Sequence, residues 1–147
     1  MWLYLDDKRL PTMLFTKELS KREKVLSFSN TKSFMECLIR NDKKITGVSL
    51  DYNLNHICRN DDEFYLDEYN RRLFTGEDVL ENILKYKYHH EYTPNLTTIR
   101  LHSKNKDIVI NMANMIYKYA NEYNKLRVIL DPSIKSLYDY IPNYCLY

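Results

Sequence analysis

Trp2 to Leu5 is an unbroken apolar run that stops at Asp6 and Asp7. That pattern suits a strand buried on both faces, with charged residues emerging at its end. Residues 8–24 carry Pro11 and mixed charge and read as a loop with a helical turn near Lys17 to Glu23. Val25 to Ser29 reads as a second strand. Asn30 or Thr31 is placed to cap a helix with Phe34, Leu38 and Ile39 on one face. Ile45 to Leu50, apolar and β-branched around Gly47, predicts a third strand that again ends in acid, at Asp51.

The second half continues the alternation. Residues 52–74 are polar and charged, with Phe64, Tyr65, Leu66 and Tyr69 as isolated apolar points. A segment of that length between a strand and its crossover helix is a candidate active-site lid. Thr75-Gly76-Glu77-Asp78 opens a helix: Thr75 caps it, Asp78 follows three residues on, and Val79, Leu80, Ile83 and Leu84 form the buried side. Pro94 breaks the chain, Thr98 to His102 is β-rich, and Lys106 to Tyr123 reads as a helix with Ile110, Met112, Ala113, Met115, Ile116 and Ala120 as apolar positions. Arg127 to Leu130 reads as a final strand closed by Asp131-Pro132, and the aromatic tail is expected to pack over the core. Strand and helix in this order favour a parallel sheet with helices on both faces, an α/β three-layer sandwich. Ligands of such sheets sit at the carboxyl ends of the strands. Asp6, Asp7, Asp51 and the His102-Ser103 pair all fall there.

Composition narrows the function classes. The 147 residues match a single domain spanning 1–147, with 52–74 as lid and 131–147 as tail. A formal charge of +2, spread along the chain, gives no basic stripe and argues against bulk DNA or RNA binding, while leaving room for a pocket for one nucleotide. Cys37, Cys58 and Cys145 are odd in number and far apart, which fits neither a disulfide framework nor a zinc knuckle. The start carries no signal-peptide pattern and no stretch approaches a membrane span, so the expected location is the cytoplasm.

The strand ends also carry a resemblance. Leu5-Asp6-Asp7-Lys8-Arg9, Ser49-Leu50-Asp51-Tyr52-Asn53-Leu54, Thr75-Gly76 followed by Asp78-Val79-Leu80, and Ile99-Arg100-Leu101-His102-Ser103-Lys104-Asn105 together resemble the cyclic-phosphate processing receiver domains of bacteria and phages. The resemblance implies a flavodoxin-like receiver fold. It implies that Asp6, Asp7 and Asp51 hold Mg²⁺, or Mn²⁺ in its place, and that Ser103 contacts a phosphoryl group. It also implies a divalent-metal-dependent phosphoesterase acting on cyclic phosphates of RNA ends or small nucleotides, or else a domain that binds a phosphorylated nucleotide, with a phosphorylated small molecule, nucleotide or RNA end as substrate or ligand, and the cytoplasm of a host if the chain is phage-encoded. Two departures stand out: Tyr52 and Asn53 replace the family's His and Asp, and Leu130 is followed by Asp131 where receivers carry a lysine.

The residue chemistry supports the same site. Carboxylates that converge within a few ångströms repel unless protonated or compensated, and a hard divalent ion with oxygen ligands resolves this. Asp51 then serves as nucleophile or orients water, and His102 as general acid or base. Ser103, Lys104 and Asn105 are placed to take the non-bridging oxygens, with Lys8 and Arg9 as a second phosphate clamp or a solvated pair. Each group also has a plain structural reading: Asp6-Asp7 as a turn, Asp51 as a solvent-facing strand end, His102 as a hydrogen-bonded structural histidine. Tyr65 and Tyr69 are candidates for stacking on a base, whereas His56, His89 and His90 lack partners at ligand spacing and read as surface residues. The rival function is a catalytically inactive receiver-like module that binds a host or phage protein through 52–74 and the tail. Homo-oligomerisation through that tail is an open option, and a phosphorelay regulator ranks last because no output domain is attached.

Overall fold

The computed structural model describes residues 1–6, 21–52, 63–102, 105–120, 126–130 and 144–146. Its strands are β1 (Trp2–Leu5), β2 (Val25–Phe28), β3 (Gly47–Leu50), β4 (Thr98–Leu101), β5 (Arg127–Leu130) and β6 (Tyr144–Leu146). Its helices are α1 (Thr31–Arg40), α2 (Gly76–His90) and α3 (Lys106–Tyr119). The strands form one sheet in the order β2-β1-β3-β4-β5-β6, with every neighbouring pair parallel. This is a parallel sheet flanked by helices on both faces, the expected flavodoxin-like receiver architecture. The chain reverses its direction across the sheet beside β1, so the crevice between the ends of β1 and β3 is the natural ligand position.

Side-chain alternation gives the sheet two different faces. Leu3, Leu5, Val48, Leu50, Ile99, Leu101 and Val128 form one, fully buried against Phe34, Met35 and Leu38 of α1, Val79, Leu80, Ile83 and Leu84 of α2, and Val109, Met112, Ala113 and Ile116 of α3. Each such side chain contributes about 1.5–3 kcal/mol of burial, and this layer is the main source of stability. The opposite face is also buried but polar: Tyr4, Ser49 and Arg100 lie side by side in register, each about 1 % exposed. Trp2 lies flat over Gly47, where any Cβ would run into the indole.

Local signals account for the helix starts. The Asn30 side chain accepts the Ser33 amide at 2.8 Å and caps α1. Thr75 and Asp78 form the expected capping box on α2: Thr75 Oγ1 accepts the Asp78 amide at 3.1 Å, and Asp78 Oδ2 accepts the Thr75 amide at 3.0 Å. Helix α3 ends at Tyr119, with Ala120 as its cap, short of the expected Tyr123. Its buried stripe runs through Val109 rather than Ile110, because 109, 112, 113, 116 and 120 share one face at helical spacing while Ile110 and Met115 are half-buried. Within the tail, Tyr144–Leu146 adds an edge strand that the sequence pattern did not reveal.

Of the 52–74 segment, Tyr52 and residues 63–74 are described, and 63–74 are tied to the body. Thr31 Oγ1 donates to the Leu73 carbonyl at 2.9 Å and accepts the Tyr65 amide at 3.0 Å, and the Leu73 amide closes on the Tyr65 carbonyl at 2.9 Å. Among the described residues no helix is long and apolar enough to cross a membrane.

Candidate metal centre

The backbone ladder runs one residue past the strands. The Asp6 amide donates to the Phe28 carbonyl, the Asp51 amide to the Leu5 carbonyl and the His102 amide to the Leu50 carbonyl, each at 3.1 Å. Asp6, Asp51 and His102 are therefore fixed at the carboxyl ends of three adjacent strands, β1, β3 and β4. All three are buried, and one ligand atom from each lies within 4.8 Å of the others. His102 Nε2 lies 3.2 Å from Asp6 Oδ2, neither side chain having exposed surface.

Two carboxylates at this separation and depth repel each other and lose their hydration, so the charged pair is favourable only beside compensating positive charge. The buried Arg100 guanidinium lies on the same polar face and supplies part of it. The oxygen-rich, convergent donor set fits a hard divalent cation, and Asp6, Asp51 and His102 are the residues that could hold one.

The residues beneath the cluster determine its orientation. Ser49 Oγ lies 2.9 Å from His102 Nδ1 and accepts from Arg100 Nη1 at 3.1 Å. The Tyr4 ring stacks on the imidazole, centroids 4.9 Å apart and planes 10° from parallel. Tyr4 on β1 and His102 on β4 meet across β3 because the intervening Ser49 is small. The start of α2 abuts the cluster: the Gly76 amide donates to the Tyr52 carbonyl at 3.0 Å, and a Cβ at Gly76 would collide with the Asp51 carbonyl oxygen. Only glycine lets the helix approach Asp51 this closely.

The structure thus brings together Asp6, Asp51 and His102. Asp7, Lys8, Arg9, Asn53, Ser103 and Lys104, and the position of the absent receiver lysine at Asp131, lie outside the described residues. Asn105 is the N-cap of α3, its side-chain oxygen accepting the amides of Asp107 and Ile108 at 3.1 and 3.3 Å. Tyr65 engages Tyr86 through a hydroxyl–hydroxyl contact of 2.9 Å, while Tyr69 is exposed beside Arg71. His89 and His90 sit in the last turn of α2 at the surface, as expected.

Ser49, Arg100 and Tyr4 received no role from the sequence, although each stands two residues before a site residue and so shares its face. That spacing is the signal that could have found them. A cleft of about 120 Å³ lined by Asp67, Arg71, Arg72, Asp78, Asn82 and Lys85 shares no residue with the cluster. Its Arg71–Asp67 and Lys85–Glu81 pairs, at 3.0 and 3.2 Å, balance charge along the chain.

No curated protein and no solved structure matches the chain. The family model of the cyclic-phosphate processing receiver domain does match, over residues 1–118 of the 147. With the strand-end Asp/Asp/His cluster inside the matched region, the chain belongs to the cyclic-phosphate processing receiver domain family.

Proposed function

We propose that this domain is a divalent-metal-dependent phosphoesterase acting on cyclic phosphates of RNA ends or small nucleotides. The observation that carries the reading is the buried convergence of Asp6, Asp51 and His102 at the ends of β1, β3 and β4. Asp6 and Asp51, with Asp7 beside them in sequence, are the groups we assign to Mg²⁺ or Mn²⁺. The bound ion would polarise a phosphoryl oxygen and lower the pKa of an attacking water. Asp51 orients that water or attacks phosphorus itself. Ser103 and Lys104, with Lys8 and Arg9, receive the non-bridging oxygens. His102, fully buried with Nε2 on Asp6, acts through Asp6 and not on the substrate directly, a narrower role than general acid or base. Opening of the cyclic ester breaks one P–O bond to a ribose oxygen and forms one P–O bond to water, whose proton passes to the departing alkoxide. We place this activity in the cytoplasm, that of the host if the chain is phage-encoded.

A second reading, an inactive module that binds a protein, draws on exposed Leu66, Tyr69 and Phe74 within the 63–74 segment. Incubating the protein with a 2′,3′-cyclic nucleotide and Mg²⁺ separates the two. The phosphoesterase reading expects ring opening that stops with chelator and falls on the order of 10²-fold in Asp51→Asn. No turnover at any metal concentration leaves the interaction module.

A further inference from the structure

Asp78, Glu81, Asn82 and Lys85 recur at the spacing that puts side chains on one face of α2. Opposite them the chain turns back on itself, with Leu66 and Arg72 in an antiparallel bridge and Asp67 closing the turn between them. The two sides enclose the cleft of about 120 Å³, several times the room a single water needs. One wall holds a polar group without a partner. Asn82 is only 8 % exposed, yet its Oδ1 meets no hydrogen-bond partner and its Nδ2 gives no hydrogen bond among the described residues. A buried carboxamide in that state is costly, and it marks a place where a bound molecule completes the hydrogen bonding.

The donors and acceptors around Asn82 decide what that molecule is. Each acid is already engaged. Asp67 Oδ1 accepts the amides of Tyr69 and Arg71 at 2.9 and 2.8 Å, and its Oδ2 accepts Arg71 Nε at 3.0 Å. Asp78 Oδ2 accepts the amides of Phe74 and Thr75 at 2.9 and 3.0 Å, and Glu81 Oε1 lies 3.2 Å from Lys85 Nζ. The donors are in surplus. Among the described residues the Arg71 side chain commits only Nε, to Asp67, which leaves its two Nη groups, and the Tyr69 ring 5.2 Å away steadies the guanidinium. Lys85 has three N–H bonds and one carboxylate beside it, and Asn82 Nδ2 brings two more N–H bonds. Such a surplus, cationic at two of its three residues, suits a compact oxyanion.

We propose that this cleft is a second binding site, separate from the metal centre, that takes a phosphate dianion, either free or as the terminal group of a nucleotide. Arg71 and Lys85 supply the charge, and Asn82 Nδ2 supplies a buried donor that fixes direction. A seated phosphate clips the 66–72 turn to α2, the helix whose first residue abuts Asp51. The site uses no group of the metal centre, so it stands or falls apart from the phosphoesterase reading.

The test is a titration of the ¹⁵N-labelled full chain with inorganic phosphate in the presence of a chelator, followed by NMR of the backbone and Asn82 side-chain amides. Saturable shifts are expected at 67–72, at 81–85 and at Asn82 Nδ2. Affinity should fall about tenfold in Arg71→Gln, the factor that one charge-assisted hydrogen bond represents. It should fall further in Asn82→Asp, which keeps the shape but sets a carboxylate where the donor stood. Adenosine 5′-monophosphate tells the two sources apart: tighter binding than phosphate assigns a nucleotide's terminal group, and weaker binding assigns free phosphate. Non-saturating shifts scattered over surface lysines and arginines, affinity unchanged in both variants, or tighter binding in Asn82→Asp overturns the site. Shifts confined to the surroundings of Asp6 and Asp51 place the phosphate in the metal centre and equally overturn it. Should Asn82→Asp fail to fold, the wild type and Arg71→Gln still decide.

Discussion

Arg100 is the residue with most at stake, a guanidinium about 1 % exposed in the middle of a sheet. Its rigid donors suit a buried hydroxyl, whereas a lysine would bring a strongly hydrated ammonium to the same depth. Arg100→Lys is therefore expected to destabilise more than Arg100→Met, by about 1–3 kcal/mol in urea unfolding, because the apolar change removes the charge altogether. Equal costs would mean that the guanidinium's hydrogen bonds are not what holds it. Tyr88 offers the converse case: its buried hydroxyl finds no hydrogen bond among the described residues. Tyr88→Phe should match or exceed wild-type stability, by up to about 1 kcal/mol.

At the scale of elements, α2 does two jobs that mutation can separate. Its capping box serves the helix alone, so Thr75→Ala should cost about 1 kcal/mol and leave metal affinity unchanged. Gly76 serves the site, because a methyl group there would meet the Asp51 carbonyl. Gly76→Ala should therefore weaken Mg²⁺ binding as well as stability, and calorimetry on the two variants distinguishes the roles. The later turns of α2 predict a pH response. Burial raises the Tyr88 hydroxyl to about 12, and burial together with the Tyr65 contact also raises Tyr86. A folded-state pKa above the unfolded value of about 10 means that the unfolded chain loses its proton first. The contribution is thus complete below pH 10 and lost as pH rises through the folded pKa. Stability should fall between about pH 10 and 12, and the fall should be shallower in Tyr88→Phe.

For the whole molecule, the sheet and site were legible wherever an apolar run met a charge. Asp6, Asp51 and His102 announced themselves because a buried parallel strand reads as a continuous apolar block, so its end is sharp. The layer beneath was hidden for the same reason: Tyr4, Ser49 and Arg100 interrupt or border those blocks and look like ordinary variation until the sheet shows that one face is polar. Tyr144–Leu146 was hidden because three residues are too short for any period to register and pairing with β5 alone makes them a strand. The close approach at Gly76 had a faint signal, in that this chain has two glycines and one of them opens a helix.

The central claim is that Asp6 and Asp51 form a divalent-metal site, and isothermal titration of Mg²⁺ into the wild type and Asp51→Asn tests it most directly. The account predicts saturable binding in the wild type, strengthened by a 2′,3′-cyclic nucleotide and lost in Asp51→Asn while the variant stays folded. A wild type that takes up neither Mg²⁺ nor Mn²⁺, or an Asp51→Asn variant that binds as tightly as the wild type, would contradict it.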